Sequence, residues 1–273
     1  MEINQKGKGY MQSYTLITGA CGHLGRAFVN ECRKRNENLI LTGRSEEKLL
    51  ALQEEIKGSG YPQTVKIYPL DLADENSRNV AFEKMKTDGV TISRLINVAG
   101  ADIQKGFSEY TQEKISFQCR ANFEGALATC KAALEMKGER LEIVNISSVS
   151  GIYPMPYFAI YSATKSALTS FSMSLREEMK GKGVFVTAIL PGAMPTREDI
   201  KEQIQGQGLW GKLAAKSPEF VAKKSLNAVR KNKKKYIPGF FNRVMNLSTK
   251  PIPLSLKMKF IAKRWSKISK DAF

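Results

Sequence analysis

The sequence predicts an α/β fold, doubly wound, in which a mostly parallel seven-stranded sheet carries helices on both faces. Three observations predict it. Short apolar runs alternate with longer amphipathic stretches along nearly all of the 273 residues, the pattern of strands joined by crossover helices. The first run ends in a glycine-rich turn that opens a helix, a turn that such sheets use beside their binding crevice. Hydrophobic residues make up 42% of the chain. They never form an uncharged run of about 18 residues, so they supply a core rather than a membrane span.

The elements follow in order. "YTLITG" (14–19) is a buried strand and 23–35 a helix; "NLILTG" (38–43) is the second strand, with a charged helix over 45–57. "TVKIYPLD" (64–71) and "SRLINVAG" (93–100) are strands three and four, separated by a helix over 74–87. A helix over about 112–136 leads to "LEIVNISS" (141–148), and another over about 157–180 to "VFVTAILPG" (184–192). A helix at 218–231 precedes a short seventh strand, "KKYIPG" (234–239). Neither an internal repeat nor a Pro/Gly-rich linker interrupts the series. One domain over 13–240 is expected, between a tail (1–12) and a basic amphipathic C-terminal extension of that domain (241–273).

Composition bounds the function classes. "MEINQKGKGYMQ" has no apolar signal-peptide core, so a cytoplasmic location is expected. Cys21, Cys32, Cys119 and Cys130 show no metal-ligand spacing, and no metal is expected. The formal charge is +17; from Ser217 onward 15 Lys/Arg face two acids, which leaves only +4 for the rest. That basic tail lacks any nucleic-acid-binding motif and has few aromatics, so specific nucleic-acid binding is not expected.

The first turn reads "TGACGHLG". Gly19, Gly22 and Gly25 allow a tight turn and let backbone N–H groups approach a pyrophosphate at a helix N-terminus. Cys21, His23 and Leu24 lie inside the same turn and are counted with the glycines as expected cofactor contacts. His23, the chain's one histidine, reads better as a loop or helix-start residue than as a catalytic one. An acid about 20 positions on would hold the ribose 2′-hydroxyl of NAD. Arg44 stands there instead, and a guanidinium grips a 2′-phosphate bidentately, which argues for NADP(H). An ordinary turn and an ordinary surface arginine are the bland alternatives.

An ordered set of further motifs carries a resemblance. Asp71 and Leu72 follow the third strand, "NVAG" supplies Asn97, Ala99 and Gly100, and Asn122 stands in "NFEG". "ISS" ends in Ser148, 13 residues before Tyr161 of "YSATK", and "PGAMPT" supplies Pro191, Gly192 and Thr196. Over roughly 13–240 the chain resembles the short-chain dehydrogenase/reductase family, whose single-domain members have a Rossmann fold. Two departures stand out. Val98 replaces the second Asn of N-N-A-G, and the first turn has the T-G-x-x-G-x-x-G spacing of the family's longer branch.

The resemblance implies an NADP-binding catalytic domain, with Ser148, Tyr161, Lys165 and Asn122 catalytic. Tyr161 and Lys165 share a helix face at i and i+4. A positive charge at Lys165 would favour phenolate and lower the Tyr161 pKa toward a working acid or base. Ser148 would donate to the substrate oxygen, and Asn122 would serve a water chain. Asp71 would contact adenine and Thr196 the nicotinamide amide. The expected function is NADPH-dependent reduction of a carbonyl, or oxidation of a secondary alcohol, on an apolar substrate. The alternative is a catalytically silent NADP-binding sensor or membrane-surface scaffold.

Substrate choice is expected to lie in about 193–216 and the C-terminal lobe, with Met155, Tyr157, Met194, Leu209 and Trp210 as candidate lining. A homo-oligomer is expected through Ala167, Leu168, Phe171 and Leu175 on the Tyr161 helix. In the tail, Leu254, Met258, Ile261, Trp265 and Ile268 form one stripe at helical spacing among Lys257, Lys259, Lys263, Arg264, Lys267 and Lys270. The stripe either packs on the substrate lobe or a sister subunit, which is preferred, or lies peripherally on the inner face of an anionic membrane.

Overall fold

The computed structural model describes residues 12–196, 200, 204–205 and 208–266, with the side chains of 208–210 and 264 left aside. The elements run β1 (Ser13–Thr18), α1 (His23–Arg33), β2 (Asn38–Gly43), α2 (Glu46–Gly58), β3 (Val65–Pro69) and α3 (Glu75–Thr87). Next come β4 (Thr91–Asn97), α4 (Gln112–Cys119), a π-helical turn (Arg120–Glu124), α5 (Gly125–Glu135), β5 (Lys137–Ile146) and α6 (Ala159–Glu178). The chain continues through β6 (Val184–Ile189), α7 (Gly208–Ala214), α8 (Pro218–Arg230), β7 (Lys235–Tyr236), α9 (Phe240–Ser248) and α10 (Leu254–Trp265). One seven-stranded sheet has the order β3-β2-β1-β4-β5-β6-β7. Every pairing in it is parallel, so the sheet is the expected one without an antiparallel edge.

The strands build two cores because successive side chains face opposite ways. Ile17, Leu39, Leu41, Val144 and Ile146 pack with Phe28, Leu49, Val221 and Leu226 from α1, α2 and α8. Leu16, Ile40, Leu95, Ile143 and Val186 pack on the other face with Phe82, Met85, Cys130 and Leu175 from α3, α5 and α6. Burying each such side chain contributes about 1.5–3 kcal/mol. The helices start where a side chain can accept an otherwise unpaired N–H. Ser45 accepts from Lys48, Asp74 from Ser77, Thr111 from Lys114, and Ser217 from Phe220 with Pro218 opening the helix.

The structure departs from the sequence reading in several places. The helix expected over 112–136 is broken by the π-helical turn. β5 begins at Lys137 rather than 141, because Lys137 pairs with Ile92 before the register shifts to Arg94 opposite Glu142. α9 was not expected at all. On α6, Leu168 and Leu175 are buried and Phe171 packs against the same core, so most of the stripe assigned to helix pairing is consumed within the chain. Among the described residues no helix is long and apolar enough to cross a membrane. All four cysteines are free.

Candidate active site

β1 and β4 are sheet neighbours whose following connections leave to opposite sides, and a crevice opens at such a switch point. A cavity of about 350 Å³ lies there, lined by Gly19, Gly22, Leu24, Gly25, Arg44, Asp71, Leu72, Ala99 and Gly100, all expected cofactor contacts. Glycine is required at two of these positions. Gly19 has φ +64°, and a Cβ at Gly25 would come within 2.1 Å of the Gly19 carbonyl oxygen. α1 therefore begins tight against the turn. No side chain caps it at Gly22, so its first N–H groups remain for a ligand in the crevice. Asp71 is fixed from both sides: its Oδ1 accepts from the Ala73 N–H at 2.9 Å, and its own N–H donates to Ser77 Oγ at 3.0 Å. The Arg44 guanidinium lies 5.6 Å from the centre of the Phe117 ring, a wall residue that sequence reasoning missed.

Several expected contacts are not brought to this wall, among them His23, Cys21, Asn97 and Pro191. His23 is exposed at the start of α1, and Cys21 sits outside the lining with its thiol pKa raised by burial. Asn97 turns into the sheet, where its Nδ2 donates to Asn145 Oδ1 at 2.9 Å and to the Ala126 carbonyl at 3.3 Å. Pro191 uses its carbonyl to accept from the Val149 N–H at 2.9 Å.

The Ser148, Tyr161 and Lys165 set is held by backbone contacts. Ser148 follows β5 and caps a 3₁₀ turn, Val149–Gly151, by accepting from the Ser150 N–H at 3.0 Å. That turn presses on α6 so closely that a Cβ at Gly151 would stand 2.7 Å from the Lys165 carbonyl carbon. Lys165 Nζ donates to the Ile146 carbonyl at 2.9 Å. Asn122 sits in the π-helical turn and is fully buried. Its Oδ1 accepts from the Ala101 N–H at 2.6 Å, while its Nδ2 donates to the Ala101 carbonyl at 2.8 Å and to Thr164 Oγ1 at 3.2 Å. Asn122 thus clamps the loop after β4 to α6.

The electrostatics reverse one expectation. Burial pushes the Tyr161 phenol above its ordinary range; the Asp102 carboxylate adds to this, and hydrogen bonding with Ser148 works against it. Burial also pulls Lys165 down to about 8, with Asp102 opposing. Desolvation is the largest cause at both groups, so the tyrosine is raised rather than lowered. Asp102 lies two residues after the "NVAG" motif, and its effect could be found only in three dimensions.

A second cavity, of about 460 Å³, adjoins Ser148 and Tyr161. Gly192 and Thr196 line it rather than the glycine-turn cavity. Met155 and Met194 line it as expected; Tyr157 does not, being exposed with φ 63°. The Leu209 and Trp210 side chains lie outside the described residues. The roof comes from Asn242, Met245 and Thr249 of the α9 segment, which the sequence reading did not assign, and from Ile261 and Trp265 of the α10 stripe expected to pack on the substrate lobe. Asn242 holds α9 down by donating to the Ala214 carbonyl at 2.9 Å. Trp265 stacks on Phe158 at 6.2 Å, and Phe158 on Tyr161 at 4.4 Å, so a run of three rings joins α10 to the phenol.

The short chain dehydrogenase family model matches residues 13–205. The chain belongs to that family. Its members are oxidoreductases that act on carbonyl or alcohol groups of small molecules with a nicotinamide cofactor. The very-long-chain 3-oxoacyl-CoA reductase of Mus musculus is 32% identical over 193 residues, covering 67% of this chain and 60% of that one. Its counterpart from Bos taurus is 32% identical over 201 residues, covering 69% and 61%. The chain spans about 60% of the length of these curated relatives. A solved 7β-hydroxysteroid dehydrogenase superposes with a TM-score of 0.80 at 22% identity, covering 92% of this short-chain dehydrogenase and 96% of that chain. A short-chain dehydrogenase from Sphingobium yanoikuyae, solved with NADPH, has a TM-score of 0.72 at 25% identity and covers 90% and 96%.

Proposed function

We propose that this short-chain dehydrogenase is an NADPH-dependent reductase of apolar carbonyl compounds. The observation that carries the reading is the position of Lys165 between the two cavities. Its Nζ would lie 3.2 Å from a Cβ built at Gly100 in the glycine-lined cavity, and its helix neighbour Tyr161 lines the apolar one. The first cavity fits a nicotinamide dinucleotide: its turn excludes side chains at Gly19 and Gly25, and Arg44 offers a fork for a 2′-phosphate. When bound, the cofactor supplies the hydride.

The chain's own residues do the rest. Ser148 donates to the substrate carbonyl oxygen and stabilises the negative charge that develops there. Tyr161 gives the proton that completes the secondary alcohol. A phenol held above its ordinary range is protonated at neutral pH and suits the acid of a reduction. Lys165, at about 8, is largely charged at neutral pH and can return a proton to Tyr161. Asn122, through Ala101 and Thr164, keeps the β4 loop and α6 in register. Met155, Met194, Ile261 and Trp265 make the substrate wall apolar. Similarity to very-long-chain 3-oxoacyl-CoA reductases supports trying long 3-oxoacyl thioesters first, and the apolar wall supports trying bulky cyclic ketones beside them.

The test is NADPH oxidation against a panel of both kinds, run beside small water-soluble ketones. Turnover that rises with apolar substrate size supports the reading. No turnover with any carbonyl compound, in protein that binds NADPH, contradicts it.

A further inference from the structure

α9 and α10 are two-sided. Their inner faces close the apolar cavity through Met245, Thr249, Ile261 and Trp265. The outer faces carry large apolar side chains that touch solvent. On α9, Phe240, Val244 and Leu247 recur at i, i+4 and i+7 and are 75%, 44% and 65% exposed. On α10, Leu256 and Phe260, 56% and 68% exposed, lie on the side of the helix opposite Ile261 and Trp265. Eight of the twelve exposed large apolar side chains among the described residues fall between Leu213 and Phe260, so this is a surface of its own and not background scatter.

The charge around these side chains names what covers them. Residues 240–266 contain Arg243, Lys250, Lys257, Lys259, Lys263 and Arg264 and no Asp or Glu. Arg243, Lys250, Lys259 and Lys263 are exposed. A second copy of the chain would bring the same positive charges face to face with nothing to neutralise them. An anionic bilayer accepts both features: apolar side chains enter the acyl boundary while flanking lysines and arginines meet phosphate and carboxylate headgroups.

We propose that the outer faces of α9 and α10, led by Phe240, Leu247, Leu256 and Phe260, dock this protein on an anionic phospholipid surface. The docking face is not the stripe that helical spacing picked out. Ile261 and Trp265 of that stripe roof the cavity, Met258 lines a neighbouring hollow, and Ile268 lies outside the described residues. The same two helices therefore separate the substrate cavity from the lipid.

Co-sedimentation with vesicles of phosphatidylcholine alone and of phosphatidylcholine with 30% phosphatidylserine (about a third anionic, enough for a negative surface potential) tests this. The full chain should pellet with the anionic vesicles and release as salt rises. Each basic residue at such a surface adds about fivefold in partitioning, so the pair Lys259→Gln and Lys263→Gln should weaken binding at least tenfold. Phe240→Glu with Phe260→Glu should abolish it while leaving turnover of a water-soluble ketone and the melting temperature unchanged. Because binding is read by pelleting, it is scored whether or not the protein reduces any carbonyl. Equal binding to neutral and anionic vesicles, no binding to either, or undiminished binding by the Phe240→Glu/Phe260→Glu variant overturns the proposal. Concentration-dependent dimerisation abolished by the same variant, without vesicle binding, assigns the face to a second copy instead.

Discussion

At the scale of single residues, the surroundings of a few groups set their charge. Lys165 is faced by Asp102 and Tyr161, and burial lowers it to about 8. A lowered lysine binds fewer protons in the folded state than in the unfolded chain between about 8 and its ordinary pKa of about 10.4, so its effect on stability becomes more favourable as pH rises through that window. Activity should move the other way. Carbonyl reduction should hold through neutral pH and decline above about 8 as Lys165 loses its charge. A profile that stays flat to strongly alkaline pH would contradict this. Arg44 yields a second prediction. Arg44→Asp should shift the NADPH-over-NADH preference by about 10–100-fold, the range of a lost charge-assisted hydrogen bond, as read by fluorescence titration of both cofactors. The motif residues Gly19, Gly25, Ser148, Tyr161 and Lys165 were legible in the sequence because their chemistry depends on short spacing. Asp102 and Phe117 were not, since neither belongs to a pattern and each matters only through a neighbour far along the chain.

At the scale of elements, alternating apolar runs fixed strand positions to within a few residues, because parallel strands buried on both faces leave a strong signal. The π-helical turn at Asn122 left none. A helix with one extra residue per turn keeps the same composition, and only the contacts of Asn122 with Ala101 and Thr164 reveal its purpose. Another hidden feature sits at the other end of the sheet. Arg94 on β4 donates to Glu142 on β5 through Nε at 2.9 Å and also pairs with Glu37, while Arg140 reaches Glu142 at 2.9 Å. Burial opposes ionisation of Glu142, yet Arg94 and Arg140 hold its carboxyl below the usual range. Its contribution is therefore present above the ordinary carboxylate pKa and lost as pH falls below it. Arg94→Met takes the cation from Glu37 and leaves Glu142 with Arg140 alone, and should cost about 3–5 kcal/mol in urea unfolding at neutral pH. A loss below 1 kcal/mol, about the worth of an exposed pair, would show that the network is solvated.

At the scale of the whole molecule, the doubly wound architecture was visible in the sequence, and the C-terminal region was not. β7 is two residues long, and α9 offers polar Asn242 and Thr249 to the cavity and apolar residues to solvent, which inverts the pattern by which helices are usually recognised. Of the tail stripe, Met258, Ile261 and Trp265 pack inward, whereas Leu254 is exposed. A chain ending at Lys250 should therefore lose affinity for apolar carbonyl compounds, with KM rising at least tenfold, about the worth of one or two lost apolar contacts. Turnover of small water-soluble ketones should persist. Equal loss for both would mean that α10 supports the fold more than the pocket.

On this reading Tyr161, on the wall of the apolar cavity with Ser148 and beside Lys165, delivers the proton of a carbonyl reduction. The most direct measurement compares Tyr161→Phe with the native protein, following NADPH oxidation by an apolar ketone and NADPH binding by fluorescence in the same preparations. The substitution keeps the ring stacked on Phe158 and removes only the hydroxyl. Turnover should fall by about 10²–10⁴-fold, the span of general acid catalysis, with the NADPH dissociation constant unchanged. Turnover within a few fold of the native protein, with intact cofactor binding, would contradict the account.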